Sequence, residues 1–178
     1  MRTRVLIAAL GLVVVASGCA TIVPPQAPSC GEEGTAEMLI IEAQSVPTAA
    51  LVPCVGALPV GWSFETFHVD DDGTTFYLDS DRAGAQAVRV DLKDDCDIGG
   101  ATEVPTDTPG AHQFEKIDAL GDRYAGTRYY VFEGGCVTYN FDFEGSGRTE
   151  LAREVSLALD FFPRSELERR LAQAGRDL

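Results

Sequence analysis

The chain has 178 residues, of which 45% are hydrophobic and 24% charged, so its composition is that of a globular protein rather than a disordered or fibrous one. Its 14 basic and 28 acidic residues give a formal charge of -14, which argues against nucleic-acid binding because phosphate recognition depends on Lys and Arg. The two His exclude a His-rich metal site, and the length predicts one domain with its own core.

The N-terminal residues have the pattern of a secretory signal peptide. Arg2 and Arg4 precede an apolar run, residues 5–16, that only Gly11 interrupts. A transmembrane helix needs about 20 apolar residues, so this run is too short to act as a stop-transfer segment. The sequence therefore predicts export.

The segment Ala16-Ser17-Gly18-Cys19 resembles the lipobox of bacterial lipoproteins. In that class, small residues precede a Cys whose sulfur receives a diacylglycerol, and the peptide is cut before that Cys. The resemblance implies a signal peptide over residues 1–18 and lipidation of Cys19, which anchors the protein on the outer face of the cell membrane. Residues 19–34 are then the lipidated Cys with a flexible Pro-rich linker, and residues 35–178 a single extracytoplasmic domain. The alternative is an ordinary signal peptide followed by a Cys.

Four Cys remain, and an even number in an exported domain predicts disulfides. Of the three possible pairings, we favour Cys30–Cys54 with Cys96–Cys136, because these bonds close the shorter loops. No CxxC spacing is present, which argues against a zinc site and against a redox-active pair. We therefore expect neither a metal ion nor a cofactor.

Hydrophobic periodicity and turn residues predict an α+β fold. A first helix is expected over residues 36–44, an irregular apolar connection over residues 46–60 and a long surface loop over residues 97–112. Strands are expected over residues 62–69, 74–79, 87–92, 113–117, 128–132 and 137–143. The first of these strands has aromatic residues on both faces, which favours a central position. The third places its Val and Leu residues inside, with Arg89 and Asp91 outside.

The clearest hairpin joins residues 128–132 to residues 137–143 through Glu133-Gly134-Gly135. Its second arm alternates apolar and polar residues, as antiparallel strands with one buried face do. Further helices are expected from a Thr149 cap through residue 161, and from a capping box at Ser165. The predicted architecture is a meander-like antiparallel sheet of about five to six strands, with an N-terminal helix and two C-terminal helices.

Few residues form a pattern that indicates catalysis. The densest polar cluster is Asp79, Asp81 and Arg82, where paired carboxylates could act as general acid and base if one were desolvated. The commoner role of such groups is to cap a turn and pair with Arg. A contiguous acidic run, Asp70–Asp72, lacks the spaced ligands of an EF-hand and predicts a solvated turn.

An aromatic surface is the second candidate site. Arg128, Tyr130 and Phe132 alternate along one predicted strand, and a face left free by the helices would present aromatic rings beside a cation. The plainer interpretation is that the aromatic residues are ordinary strand residues, whose side chains lie on both faces of the strand and form no binding surface.

Four further segments resemble small exported proteins of high-GC Gram-positive bacteria, a group that implies no activity. They are Val52-Pro-Cys54, Leu58-Pro-Val-Gly-Trp62, Leu78-Asp-Ser-Asp-Arg82 and Tyr130-Val-Phe-Glu-Gly-Gly-Cys136. The sequence thus predicts a lipid-anchored extracytoplasmic envelope protein, a non-enzymatic binding or accessory module for an envelope protein or a small ligand. The alternative is a carboxylate-based hydrolase of an envelope substrate that uses Asp79 and Asp81.

Overall fold

A computed structural model of the protein describes residues 26–31, 36–144 and 147–178. The helices in these ranges are α1 (Ala36–Ser45), α2 (Arg148–Ser156) and α3 (Arg164–Gln173). The strands are β1 (Leu51–Val55), β2 (Trp62–Asp70), β3 (Gly73–Ser80), β4 (Gly84–Lys93), β5 (Thr102–Val104), β6 (Ala111–Ala119), β7 (Arg123–Phe132), β8 (Gly135–Glu144) and β9 (Leu159–Pro163). None of these helices is long and apolar enough to cross a membrane. The expected signal peptide, Cys19 and most of the linker lie outside the described residues.

Seven strands form one antiparallel sheet in the order β2-β3-β4-β8-β7-β6-β5. The α+β class is confirmed, but the sheet is larger than the five to six strands expected, since the predicted loop over residues 97–112 contains β5. The predicted hairpin is confirmed as β7 and β8. At its tip Gly134 has a φ of +69°, and a Cβ there would collide with the carbonyl of Thr48, so this turn requires glycine.

Strand β2 lies at an edge of the sheet, and the prediction of a central position was wrong. A β-bulge between Phe64 and Thr66 shifts the alternation of side chains by one residue. Trp62, Phe64 and Phe67 therefore all pack against the same core, although strict alternation would put Phe67 on the opposite face. The aromatic residues of β2 therefore lie on one covered face of the sheet, and a second covered face is not needed to bury them.

The largest departure from prediction is a two-stranded ribbon formed by β1 and β9. The segment that includes β1 was expected to be irregular, and β9 was expected to continue a helix to residue 161. Helix α2 instead ends at Ser156, and the two strands pair from Leu51↔Pro163 to Val55↔Leu159. The apolar spacing after Ser156 fits a helix as well as a strand, and pairing with a remote segment decides between them.

The ribbon forms a layer between the large sheet and two helices. One of its faces packs against the sheet through Leu51, Val55 and Leu159. The other face packs against α1 and α3 through Val52, Cys54 and Phe162. Helix α2 also packs on the sheet, so the helices and the ribbon cover one face of the seven strands, and no helix of the described residues packs on the opposite, open face.

Two disulfides are present, Cys30–Cys54 and Cys96–Cys136, which is the pairing that loop length favoured. The first fastens the N-terminal segment to β1, and Ser29 forms a parallel bridge with Val55 beside it. The second joins the loop after β4 to the start of β8. Disulfides of this kind indicate an oxidising, extracytoplasmic compartment.

The expected caps of the two C-terminal helices were wrong. Helix α2 has Gly147 rather than Thr149 at its N-cap, and α3 begins after Pro163 without a side-chain cap at Ser165. Arg164, the first residue of α3, donates from its guanidinium to the carbonyls of Ala49 (2.6 Å) and Val46 (2.7 Å), which fastens the start of α3 to the segment after α1.

Candidate functional site

The open face of the sheet carries a polar surface built from three adjacent strands, β3, β4 and β8. The register places Thr75 of β3 beside Asp91 of β4, and Asp91 beside Thr138 of β8. Arg89 lies beside Asn140 in the same two strands. Because side chains alternate along a strand, these residues point away from the buried Val and Leu side chains of β4 and away from the core.

Asp91 is the centre of this surface, with only 4% of the residue exposed. Its Oδ1 accepts hydrogen bonds from the Thr75 hydroxyl (2.7 Å) and the Arg89 Nε (2.8 Å). Its Oδ2 accepts from the Thr138 hydroxyl (3.1 Å) and the Asn140 amide (3.0 Å). A buried carboxylate needs such compensation, and here a cation and three neutral donors supply it. Asp91 therefore organises the polar surface and has no free oxygen for proton transfer.

A depression of about 610 Å³ that is largely open to solvent lies on this polar floor, and we call it the open-face cavity. Its wall is the loop after β4, which the disulfide at Cys96 holds against the sheet. Asp95 and Asp97 flank Cys96 in that wall, while Lys93 and Tyr129 line the cavity from β4 and β7. The volume lies within the range of about 300–1,000 Å³ that small-molecule sites occupy.

The predicted carboxylate pair has structural roles. Asp79 Oδ1 accepts the backbone N–H of Gln86 (2.7 Å), whose φ of +50° marks a tight turn. Asp81 is exposed and lies 3.6 Å from the Nε of Arg82. Arg82 in turn donates to Glu154 of α2, and this hydrogen bond lowers the pKa of Glu154. These contacts match the interpretation as a turn cap with an ion pair.

The predicted aromatic surface lies in the core. Tyr130 and Phe132 are each 8% exposed, and their ring centroids are 4.9 Å and 6.2 Å from that of Phe161 in β9. Arg128 donates to the hydroxyl of Ser156 in α2 (2.8 Å). The face that was expected to remain free is thus covered, because the unforeseen ribbon packs on it.

Sequence reasoning missed the open-face cavity. The only signal was the run Arg89, Asp91 and Lys93 on alternate positions of one strand, which is also the pattern of an ordinary solvated face. The contributions of Tyr129 and Thr138 depend on strand order and register, which a local pattern does not specify.

Comparisons with known proteins found no significant match to this chain. No family model matches the chain, and neither the curated proteins nor the solved structures contain a significant match. Within residues 26–31, 36–144 and 147–178, no group of three or more His, Cys, Asp or Glu residues is placed to hold a metal ion.

Proposed function

We propose that the chain is a lipid-anchored extracytoplasmic binding module that holds its ligand in the open-face cavity. The observation that carries this proposal is that the cavity is built in advance. Its floor is fixed by the hydrogen bonds of Asp91, and its wall is fixed by the Cys96–Cys136 disulfide. A site that is rigid before binding loses less conformational entropy when the ligand arrives.

The lipobox supports an anchor at Cys19. The chain between Cys19 and Cys30 reaches at most about 40 Å when fully extended, so a lipid at Cys19 keeps the domain close to the membrane surface. The disulfide at Cys30 begins the folded part on the covered side of the sheet. The open-face cavity lies on the opposite side of the sheet from that disulfide.

The alternative function is a hydrolase that uses Asp79 and Asp81. Its chemistry requires two carboxylates that converge on a substrate, one of them desolvated. Asp79 is engaged with the backbone of Gln86, and Asp81 is exposed beside Arg82. These contacts favour the binding module over the hydrolase.

Two experiments test the proposal in intact envelopes. For the anchor, Cys19→Ala should abolish incorporation of a clickable fatty acid, and continued labelling would exclude lipidation at this residue. For the cavity, a photo-crosslinking amino acid at position 129 should give a discrete adduct. The same amino acid at Leu157, which is 83% exposed and lies just after α2 on the covered side, is the control. Identical adducts from both positions would contradict a specific site.

A further inference from the structure

We infer that the open-face cavity takes a zwitterionic ligand, a short peptide with a free amino group and a free carboxyl group. This inference rests on the proposed function and specifies its ligand. Its basis is that Lys93, Asp95 and Asp97 line one cavity and that none of the three forms an ion pair with a described residue.

The cationic side of the cavity is formed by Arg89 and Lys93. They are four residues apart on β4 and therefore share a face of the strand, about 13 Å from each other along the backbone, with Asp91 between them. Arg89 uses one edge of its guanidinium for Asp91 and is still 47% exposed through its side chain. Lys93 forms no ion pair with any residue that the structure describes. A carboxylate bound beside Lys93 would meet an ammonium group that has no other ion-pair partner among the described residues.

The anionic side is the disulfide-held wall with Asp95 and Asp97. Within the described part of the chain neither carboxylate has a basic partner within 4.0 Å. Asp97 Oδ1 accepts the backbone N–H of Gly99 (2.9 Å), which orients the side chain and leaves its second oxygen free. The bond at Cys96 keeps both residues in place. An ammonium group at this wall would meet two carboxylates.

Charge complementarity separates a zwitterion from other ligand classes. A purely anionic ligand would be repelled by the wall and by the chain's formal charge of -14. A purely cationic ligand would leave Lys93 unmatched, and an uncharged sugar would desolvate charges on both sides without replacing their water contacts. A short peptide satisfies both sides when its two ends are free.

The first test is equilibrium dialysis of labelled trialanine against the purified, lipid-modified mature chain, which begins at Cys19, in detergent. We expect saturable binding, and we expect N-acetylation and C-amidation of the peptide each to weaken it by at least about tenfold, because each removes one charge-assisted contact. Equal binding of the three peptides would overturn the inference, as would tighter binding of an uncharged trisaccharide.

Two variants assign the two ends of the peptide. In Lys93→Gln, the ratio of the affinities for trialanine and for its C-terminal amide should fall towards one. The ratio of the affinities for trialanine and for its N-acetylated form should stay unchanged. In the double variant Asp95→Asn with Asp97→Asn, the ratio for the N-acetylated peptide should fall towards one and the ratio for the amide should stay unchanged. Lys116→Gln is the matched control, because Lys116 is an exposed Lys of β6 that already pairs with Asp118 (3.4 Å). Unchanged discrimination in both variants would contradict the assignment.

The experiments distinguish a failure of the inferred peptide ligand from a failure of the proposed binding function. If no peptide binds but position 129 still gives a discrete adduct in envelopes, the zwitterionic ligand is wrong and the binding module stands. If position 129 also gives no specific adduct, the proposed function fails as well.

Discussion

The carboxyl group of Glu42 and the hydroxyl group of Tyr139 are both enclosed in the core, and neither forms a hydrogen bond with a described residue. Glu42 comes from α1 and Tyr139 from β8, so the pair lies where a helix meets the covered face of the sheet. Burial raises the pKa of Glu42 well above its ordinary value of 4.5. Burial raises the pKa of Tyr139 well above its ordinary value, and the charges of Tyr130 and Asp160 and, least of all, Glu42 act in the same direction.

Glu42 should therefore make the stability of the protein depend on pH. Below pH 4.5 the carboxyl group is protonated in both states and has no effect. Above that pH the unfolded chain releases the proton while the folded protein retains it, so the free energy of unfolding falls by up to about 1.4 kcal/mol per pH unit. This loss continues until the pH reaches the raised pKa of the folded state. Glu42→Gln should abolish this part of the pH dependence of the unfolding free energy, as measured by urea midpoints from pH 4.5 to 7. Glu37→Gln, an exposed change on the same helix, is the control, and equal slopes for wild type and Glu42→Gln would contradict the expectation.

Arg164 should be hard to replace, even by Lys. Its guanidinium donates to three backbone carbonyls, those of Ala43, Val46 and Ala49, and its side chain is only 14% exposed. Lys lacks the planar fork of donors and would leave buried carbonyls unpaired, so Arg164→Lys should cost about 2–3 kcal/mol of unfolding free energy. Arg169→Lys, at a side chain that is 64% exposed, should change it by less than about 0.5 kcal/mol. Equal urea midpoints for the two variants would show that these contacts contribute nothing.

Helix α2 should depend on Val155, which is fully buried against the sheet. Val155→Ala removes buried methyl groups and leaves a cavity, so we expect a loss of about 1–3 kcal/mol in unfolding free energy. Leu157→Ala, two residues away at a side chain that is 83% exposed, should stay within about 0.5 kcal/mol. The two midpoints in urea, measured with disulfides intact, check the difference, and a neutral Val155→Ala would contradict the packing of α2.

The two disulfides should differ in their effect on the open-face cavity. Replacing Cys96 and Cys136 by Ser opens a loop of sequence separation 40 and should cost about 4 kcal/mol, since the unfolded state gains freedom. It should also release the wall and abolish trialanine binding. Replacing Cys30 and Cys54 by Ser should cost about 3.5 kcal/mol for its separation of 24, with binding retained where the protein is still folded. Equal loss of binding in both variants would contradict the wall's role.

The features that the sequence predicts well are local. The β7–β8 hairpin has a glycine turn and strict alternation in its second arm, and its strands adjoin in the chain, so no distant partner is needed to define it. The disulfide pairing follows from loop length, because the two bonds close the shorter of the possible loops, with sequence separations of 24 and 40.

The features that could not be predicted depend on remote partners. Strand β9 pairs with β1 across most of the chain, and nothing within residues 157–163 specifies that partner. The same ribbon covers Tyr130 and Phe132, so one missed pairing also misplaced the candidate aromatic surface. The open-face cavity depends on the order in which β4, β8 and β7 join, and that order is a property of the whole sheet.

The fastening of the N-terminal segment has a mechanical consequence. The N–H of Cys30 donates to the carbonyl of Val55 (3.1 Å), the N–H of Val55 donates to that of Pro28 (2.6 Å), and a covalent bond joins Cys30 to Cys54. Tension applied at the start of the folded chain is thus delivered to the ribbon, on the covered side of the sheet. None of these bonds involves β3, β4 or β8, the strands that form the cavity floor. A domain pulled by its N-terminal end would keep the geometry of its open face.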